Sequence, residues 1–392
     1  MSGRARRGVV LRPGSPAEAG LAGAEVRRMV PDTEVFLSGP EPAMAGFVLL
    51  AARDGVVVEH AARGHALRWA SWDAAAGRGV ELPAAERVPM SPDTVFDIAS
   101  LSKLFTALVV AVLAERGVLS LDEPAARHLP ALAAAGPGKA GITVRQLLNH
   151  TAGMAPWTDL ASCRDDGERM AAVLAPPLVF PPGTAHAYSD LHAICAGRVA
   201  EEAAGRGLAE LVAGLVTGPL GLTGTGYCPP AASRPVIAAT EYQPWTGRGM
   251  VRGEVHDENA WYMGGVAGHA GLFSTARDVA VLGQLMLGGG EAGGVRVAGE
   301  ETVRAMLTPG PAHPGRGLGW ELAQGWYMDA LGSPAAFGHT GFTGTSLVAD
   351  PVTGCLLVLL ANRVHPTRER GTTSEYRRAP ARRLAAAVAA GR

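Results

Sequence analysis

The length, composition and charge of the chain limit the classes of protein that it can be. Its 392 residues, of which 47% are hydrophobic and 18% charged, are enough for two cooperating domains or one large two-lobed unit. The formal net charge of -1 gives no basis for binding nucleic acid. No segment approaches transmembrane length, and the apolar stretch after the basic N-terminal residues is too short for a signal peptide. We therefore expect a cytoplasmic protein that does not bind membranes, with its widely spaced cysteines as free thiols.

In chain order, the patterns predict strands, a long helical middle, and strands again. Residues 46–51 and 56–60 form a predicted β-hairpin, whereas residues 66–90 show no steady pattern and are predicted as loop. Residues 224–262 are rich in Gly, Pro, Trp and Tyr, which is typical of an ordered loop that lines a site. The predicted helices cover 104–114, 143–148, 188–204, 208–216, the segment after Thr275, and 381–390, and the last strands cover 346–349 and 355–361.

This order predicts an α+β fold. Residues 1–95 and 275–392 would form an antiparallel sheet domain flanked by helices, with residues 1–8 as a loose tail. Residues 96–274 would form an inserted, mostly helical domain. The active site would lie where the sheet meets the helical domain, since pockets usually form at such junctions.

Ser100 and Lys103 form the most informative pair in the chain. An apolar run follows them and reads as a fully buried helix, which would place Ser100 at its start and Lys103 one turn on. A buried lysine with a lowered pKa can take the proton of a serine hydroxyl and make it a nucleophile. The free N–H groups of a helix start can stabilise the resulting oxyanion. The alternative is an N-cap serine followed by a surface lysine, which the apolar surroundings of Lys103 disfavour.

Two further motifs join this pair. Tyr188-Ser189-Asp190 lies at the start of a predicted helix, and His339-Thr340-Gly341 leads into the C-terminal strands. In this order, Ser-x-x-Lys, Tyr-Ser-Asp and His-Thr-Gly resemble the serine β-lactamase and penicillin-binding-protein superfamily. The likeness is to its class C-like branch of esterases, amidases and acyltransferases. It extends over residues 45–365, through segments such as 147–154, 219–222, 268–276 and 362–366.

The resemblance implies a β-lactamase/transpeptidase-like fold and a set of roles. Ser100 would form the acyl-enzyme, and Lys103 and Tyr188 would share the work of general base and acid, with either one as the base. The backbone N–H groups of Ser100 and Phe342 would form the oxyanion hole. We expect no cofactor and no metal. The substrate-binding residues would be Asp190, His339, Thr340, Gly341, Trp157, His256 and Trp261.

The motifs depart from those of class C β-lactamases at two positions. His339 stands where those enzymes carry lysine, which removes a permanent cation that could hold a substrate carboxylate. Asp190 stands where they carry asparagine, and its negative charge would tend to keep Lys103 protonated. We therefore predict weak or no β-lactamase activity and a preference for neutral esters or amides.

Residues 253–262 offer a weaker candidate site. A metal site from His256, Asp257 and His269 is conceivable, but its spacing matches no familiar ligand pattern. A hydrogen-bonded loop that lines the pocket is favoured. Trp157, Trp245, Trp261 and Tyr262 could shape an apolar acyl pocket or pack in the core.

The sequence thus predicts a serine hydrolase that acts on an ester or amide of a small molecule. An acyltransferase in small-molecule biosynthesis is one alternative, because water and another acceptor use the same acyl-enzyme. A catalytically silent ligand-binding module on the same fold is another, which the intact Ser100, Lys103 and Tyr188 disfavour. The sequence carries no signal for the oligomeric state.

Overall fold

A central mixed sheet is built from both ends of the chain. The computed structural model describes residues 8–39, 41–370 and 373–391, so most of the predicted N-terminal tail lies outside the described residues. The strand order is β1-β3-β2-β17-β16-β15-β14, with β6 paired to β3, and all neighbours are antiparallel except β1 and β3. The strands are β1 (Arg12–Pro13), β2 (Gly46–Arg53), β3 (Val56–Leu67), β4 (Trp69–Asp73), β5 (Arg78–Glu81), β6 (Val88–Pro89), β7 (Phe96–Asp97), β8 (Gly226–Tyr227), β9 (Tyr242–Gln243), β10 (Gly249–Met250), β11 (Leu272–Ser274), β12 (Glu291–Ala292), β13 (Val295–Arg296), β14 (Glu321–Leu322), β15 (Phe337–Thr340), β16 (Ser346–Asp350) and β17 (Cys355–Ala361). The predicted α+β fold with a sheet from both chain ends is confirmed.

Helices cover both faces of this sheet. Successive side chains of a strand point to opposite faces, and in β2 Val48 and Leu50 join the larger core while Phe47 and Leu49 join the core under α1 and α12. The helices are α1 (Gly23–Glu34), α2 (Ser102–Glu115), α3 (Pro130–Ala134), α4 (Val144–Leu148), α5 (Asp166–Leu174), α6 (Asp190–Ala204), α7 (Leu208–Val212), α8 (Glu258–Tyr262), α9 (Ala276–Leu287), α10 (Glu300–Met306), α11 (Gly325–Met328) and α12 (Glu375–Ala390). Because both faces are covered, β17 is apolar along its whole length and β2 is apolar up to its last residue, Arg53.

The helix after the Ser-x-x-Lys pair is buried on all sides, as the sequence predicts. Every residue of α2 from Ser102 to Leu113 is buried. The helix packs against α6, which follows the Tyr-Ser-Asp motif. Burial of such apolar side chains stabilises each by about 1.5–3 kcal/mol, so this packing fixes the two motifs relative to one another.

The prediction of loop for residues 66–90 is wrong. The segment contains the antiparallel hairpin β4–β5. Its turn is held by the Asp73 carboxylate, which accepts hydrogen bonds from the N–H groups of Ala75 and Ala76, and by Gly77 in the left-handed region at φ 62°. An aspartate followed by a glycine at this spacing was the available signal.

The last helix begins earlier than predicted. It starts at Glu375, and Pro380 lies inside it rather than in its first turn. Proline removes a backbone hydrogen bond there. Tyr376 and Leu384, one on each side of the proline, are fully buried against the sheet, and this packing offsets the loss. Within the described part of the chain, no helix has the length and apolar character needed to cross a membrane.

Candidate active site

The turn before α2 holds Ser100 in a fixed position. Ala99 has a left-handed backbone with φ 47°, and its N–H donates to Asp97 Oδ1 at 2.8 Å. Asp97 Oδ2 accepts from the N–H of His256 at 2.6 Å, and Thr343 Oγ1 donates to the Asp97 carbonyl at 2.9 Å. Two other segments of the chain are therefore tied to the turn that presents the serine. Burial raises the pKa of the Asp97 carboxyl, and the hydrogen bonds from the N–H groups of His256 and Ala99 partly oppose this rise.

Ser100 Oγ lies at the same distance from the two groups predicted to activate it. Lys103 Nζ is 2.8 Å from Ser100 Oγ, and the Tyr188 hydroxyl is also 2.8 Å from it. Lys103 Nζ further contacts Asp190 Oδ1 at 2.8 Å and the His269 carbonyl at 3.0 Å. The structure thus brings together Lys103 and Asp190, which lie 87 positions apart in the sequence.

The pKa of Lys103 is raised rather than lowered, in the direction expected from Asp190. Burial by itself lowers the pKa of this lysine, but the Asp190 carboxylate and the Tyr188 phenol outweigh burial and raise it above the usual value. Lys103 is therefore an ammonium at neutral pH. Tyr188 is 36% exposed where it faces the cavities. Burial nevertheless raises the pKa of its hydroxyl, against the opposing effect of Lys103.

The start of α6 positions Tyr188 and Asp190. Ser189 is the N-cap of this helix, and its hydroxyl accepts from the N–H of His192 at 3.3 Å and donates to the Ala155 carbonyl at 2.6 Å. The ring of His150 packs against that of Tyr188 with 4.7 Å between centroids. The phenol and the carboxylate are thus held on either side of a capped helix terminus.

His339, Thr340 and Gly341 line the opposite wall, at the edge of β15. His339 is buried, and its Nδ1 donates to the Thr340 carbonyl at 2.7 Å, while burial lowers its pKa to about 4. Its Nε2 is buried and has no hydrogen-bond partner among the described residues. His339 is therefore neutral at pH 7 and does not supply the positive charge that a lysine would supply at this position. A side chain at Gly341 would collide with Thr345 and with the Ile98 carbonyl in the turn before α2.

Two cavities open on either side of Ser100. The aromatic cavity has a volume of about 580 Å³, and the arginine cavity about 570 Å³. Both share Ser100, Tyr188 and Phe342. The aromatic cavity is also lined by Trp157, Asp190, Trp245, His256 and Tyr262. The arginine cavity is also lined by Arg316, Glu321, His339, Thr340, Gly341, Arg363 and Arg377.

One predicted substrate-binding residue lies elsewhere. Trp261 does not line either cavity; it lines a separate cavity with Cys228 and Val255, and the Arg248 guanidinium stacks on its ring at 4.5 Å. The segment turns into the short helix α8 here. Tyr262, the next residue, consequently faces the aromatic cavity instead.

The structure separates the residues considered for a metal. His256 Nε2 pairs with Glu241 Oε2 at 2.9 Å, whereas His269 Nε2 pairs with Asp257 Oδ1 at 2.9 Å. Ligand atoms of Asp190, Asp257 and His269 do lie within 4.8 Å of one another. The ammonium of Lys103 already supplies a cation to Asp190 at this place. His256 and Asp257 thus act in a hydrogen-bonded loop that lines the aromatic cavity.

The arginine cavity holds a charge that the sequence did not reveal. Arg316, Arg363 and Arg377 are 6%, 5% and 9% exposed, and Glu321 is the carboxylate that pairs with one of them, 3.1 Å from Arg316. His339 does remove one cation from the pocket, but these arginines supply others. Each arginine comes from a different segment, and only Arg363, in the segment 362–366, belongs to a part of the sequence that the resemblance singled out.

The arginines also hold the loop that follows His339. The Phe342 carbonyl accepts from Arg363 Nε at 3.2 Å and Nη2 at 3.1 Å, and the Gly341 carbonyl accepts from Arg377 Nη2 at 3.0 Å. One or two nitrogens of every guanidinium remain buried without a partner among the described residues.

Comparison with known proteins agrees with this geometry. The Beta-lactamase family model matches residues 32–382. The chain belongs to the beta-lactamase family. It is 34% identical over 325 residues to an Escherichia coli K12 protein provisionally named a D-alanyl-D-alanine carboxypeptidase, which covers 75% of each chain. A protein of the same provisional name from Escherichia coli O157:H7 is 32% identical over 386 residues, covering 91% of this chain and 86% of that one.

Solved structures of the beta-lactamase family share the fold. A penicillin-binding protein homologue from Caulobacter crescentus superimposes with a TM-score of 0.69 at 23% identity, over 94% of this chain and 97% of that one. A family VIII carboxylesterase superimposes with a TM-score of 0.68 at 24% identity, over 93% and 99%. These likenesses show the fold. With the family match over residues 32–382 and the curated relatives, the protein is a hydrolase of the β-lactamase-like type, as the sequence predicts.

Proposed function

We propose that the protein is a serine amidase that releases an amino acid with a free carboxylate from the end of a small peptide. The observation that carries the proposal is the arginine cavity beside Ser100, with three buried guanidinium groups and Glu321 as their paired carboxylate. Buried charges are costly unless they are paired, so such a cavity favours an anionic ligand. The names of the curated relatives, which refer to D-alanyl-D-alanine carboxypeptidases, support the same substrate class.

Catalysis would proceed through an acyl-enzyme. Ser100 Oγ attacks the carbonyl carbon, and the backbone N–H groups of Ser100 and Phe342 bind the oxyanion. The Gly341 carbonyl, which shares a peptide group with the Phe342 N–H, accepts from Arg377 Nη2 at 3.0 Å, and this bond would hold the peptide group of the oxyanion hole in place. Tyr188, 2.8 Å from Ser100 Oγ, would return a proton to the departing amine. Water then releases the acyl group by the reverse steps.

The proposed substrate carries a carboxylate, whereas the sequence motifs predict a preference for neutral esters or amides. Weak β-lactamase activity stays a prediction, but it now depends on Asp190 rather than on a missing cation. Rapid turnover of a chromogenic cephalosporin would contradict it.

A pair of matched peptides tests the proposed substrate. We expect release of D-alanine from an acetylated peptide ending in D-alanyl-D-alanine, and a kcat/KM about 10- to 100-fold lower for the same peptide with a C-terminal carboxamide, since a charged hydrogen bond contributes about 1.5–3 kcal/mol. Arg377→Gln should reduce this discrimination. Arg382→Gln, on the exposed side of the same helix, is the matched control and should leave it unchanged. Equal cleavage of both peptides, or cleavage of neither by an enzyme that hydrolyses p-nitrophenyl acetate, would refute the carboxylate requirement.

A further inference from the structure

The contacts of Lys103 raise a question of proton balance. The three N–H bonds of its ammonium match three oxygens: Ser100 Oγ at 2.8 Å, Asp190 Oδ1 at 2.8 Å and the His269 carbonyl at 3.0 Å. The lysine is only 3% exposed. An ammonium has no lone pair, so in this arrangement Lys103 cannot take the proton of Ser100 unless it first gives one away.

Of the three oxygens, that of Asp190 is the Brønsted base that can take this proton. The His269 carbonyl is a very weak base, and Ser100 is the group to be deprotonated. Asp190 is a carboxylate already joined to Nζ by a hydrogen bond, and its side chain is 23% exposed at the wall of the aromatic cavity.

We infer that Asp190 is the final acceptor of the Ser100 proton, with Lys103 as the carrier between them. Asp190 Oδ1 takes one N–H proton of Lys103, and the threefold rotation of the Nζ group turns the vacated lone pair towards Ser100. The Oγ–H bond of Ser100 then breaks towards Nζ while the Oγ–acyl carbon bond forms. At the tetrahedral stage Lys103 is again an ammonium, Asp190 is a neutral acid, and the negative charge lies on the oxyanion.

When the leaving group departs, the proton held by Asp190 returns through Lys103 and Tyr188. The bond from the acyl carbon to the leaving nitrogen breaks, and that nitrogen takes a proton from the Tyr188 hydroxyl. Tyr188 is replenished from Lys103, and Lys103 in turn from Asp190. No proton is gained or lost overall, and Asp190 returns to its ionised form. Asp190 is thus a positioning and proton-storing residue that acts through Lys103.

The surroundings of Asp190 are consistent with this role. The groups that face it are Lys103 from α2, Tyr188 from the turn before α6, and Asp257 and His269 from the loop beside α8. Asp257 is paired with His269, so Lys103 is the cation in direct contact with Asp190. The N–H of Asp190 donates to the Pro156 carbonyl at 2.9 Å, which holds the carboxylate in place.

A fluorophosphonate isolates the step, because fluoride leaves without needing a proton. We would measure the rate of Ser100 labelling from pH 5 to pH 10 in the full chain and in Asp190→Asn. The variant must use the neutral amine of Lys103, so labelling at pH 6 should fall at least 10-fold and recover towards pH 9 and above. Asp190→Glu keeps a carboxylate and should retain labelling at pH 6.

Asp166→Asn is the matched control. Asp166 is also the first residue of its helix and is also ion-paired, to Arg198 at 2.7 Å, but it lies away from Ser100. Its pH profile should equal that of the unmodified protein. An Asp190→Asn variant that folds with an unchanged melting temperature and labels at pH 6 as fast as the unmodified protein, or faster, would overturn the inference.

The inference depends on the acyl-enzyme chemistry of the proposed function but not on its substrate. If no peptide is cleaved while the labelling profile shifts as described, the carboxylate substrate is wrong and the role of Asp190 stands. If peptides are cleaved and the profile does not shift, the reverse holds.

Discussion

The active site contains two groups of buried cations that differ in how they are neutralised. Lys103 has a carboxylate of its own, with Asp190 2.8 Å away. The arginine cavity has three guanidinium groups, and Glu321 contacts one of them. A matched pair can pass a proton within the protein without changing its net charge, whereas an unmatched group attracts an anion from outside. Under the proposed function, proton transfer would belong to one wall of the site and substrate recognition to the other.

The largest effect is expected from Lys103→Met, which breaks the first wall alone. Loss of the proton carrier should reduce kcat/KM on the order of 10³-fold or more, as for other members of catalytic triads. The loss should be equal for carboxylate-bearing peptides and for p-nitrophenyl acetate. Arg316→Gln in the second wall is the counterpart, and it should affect the peptide only. A Lys103→Met variant that slows only the peptide would contradict the division of roles.

Gly341→Ala tests the contact between the two walls. A Cβ here would lie 2.6 Å from the Ile98 carbonyl and would also strike Thr345. Both neighbours belong to tightly held segments, so we expect a loss of about 1–3 kcal/mol in the free energy of unfolding. Hydrolysis of p-nitrophenyl acetate by the folded fraction should fall as well, since the turn that carries Ser100 must move. Urea unfolding measures the first effect.

Gly325→Ala is a suitable comparison for that substitution. Gly325 begins a short helix, and an added Cβ would meet no atom within 4 Å. Its unfolding curve should match that of the unmodified protein. Equal destabilisation by the two substitutions would show that the close approach at residue 341 has no special cost.

Acid should weaken the fold through buried neutral histidines. Burial lowers the pKa of His192 to about 3, of His339 to about 4 and of His365 to about 3. In the unfolded chain these groups titrate near 6.5, so below that pH the unfolded state binds more protons and the free energy of unfolding falls. Each contributes up to about 1.4 kcal/mol per pH unit until its folded pKa is reached. Their contribution is fully present above pH 6.5.

Urea titrations at pH 7.5, 6.0 and 5.0 would measure this dependence. His192→Gln, whose side chain can still accept from the N–H of Met154, should flatten it. A midpoint that does not change between pH 7.5 and pH 5.0 would rule out this source of acid sensitivity.

The two walls also differ in how far the sequence predicts them. Ser100, Lys103 and Tyr188 lie in short motifs whose spacing follows helix geometry, and the structure places them within hydrogen-bonding distance. The arginine cavity could not be foreseen, because Arg316 and Arg377 come from distant segments that meet only when the sheet has formed. The prediction that Trp261 binds substrate also failed, because the predicted loop forms the short helix α8, which turns Tyr262 rather than Trp261 towards the aromatic cavity.

The smallest effect is expected at the rim of the aromatic cavity. Trp245 is 59% exposed there, so its removal should leave the fold intact. Its ring would cover part of a bulky acyl group but would not reach an acetyl group next to Ser100. Trp245→Ala should therefore raise the KM about 3- to 10-fold for p-nitrophenyl esters of long acyl chains, at roughly 1 kcal/mol of lost apolar burial, and leave the acetate ester unchanged. An equal effect on both esters would mean that Trp245 supports the loop rather than the substrate. A loss confined to peptides with a free carboxylate would instead extend recognition of the anion into this cavity, and the separation of the two walls would fail.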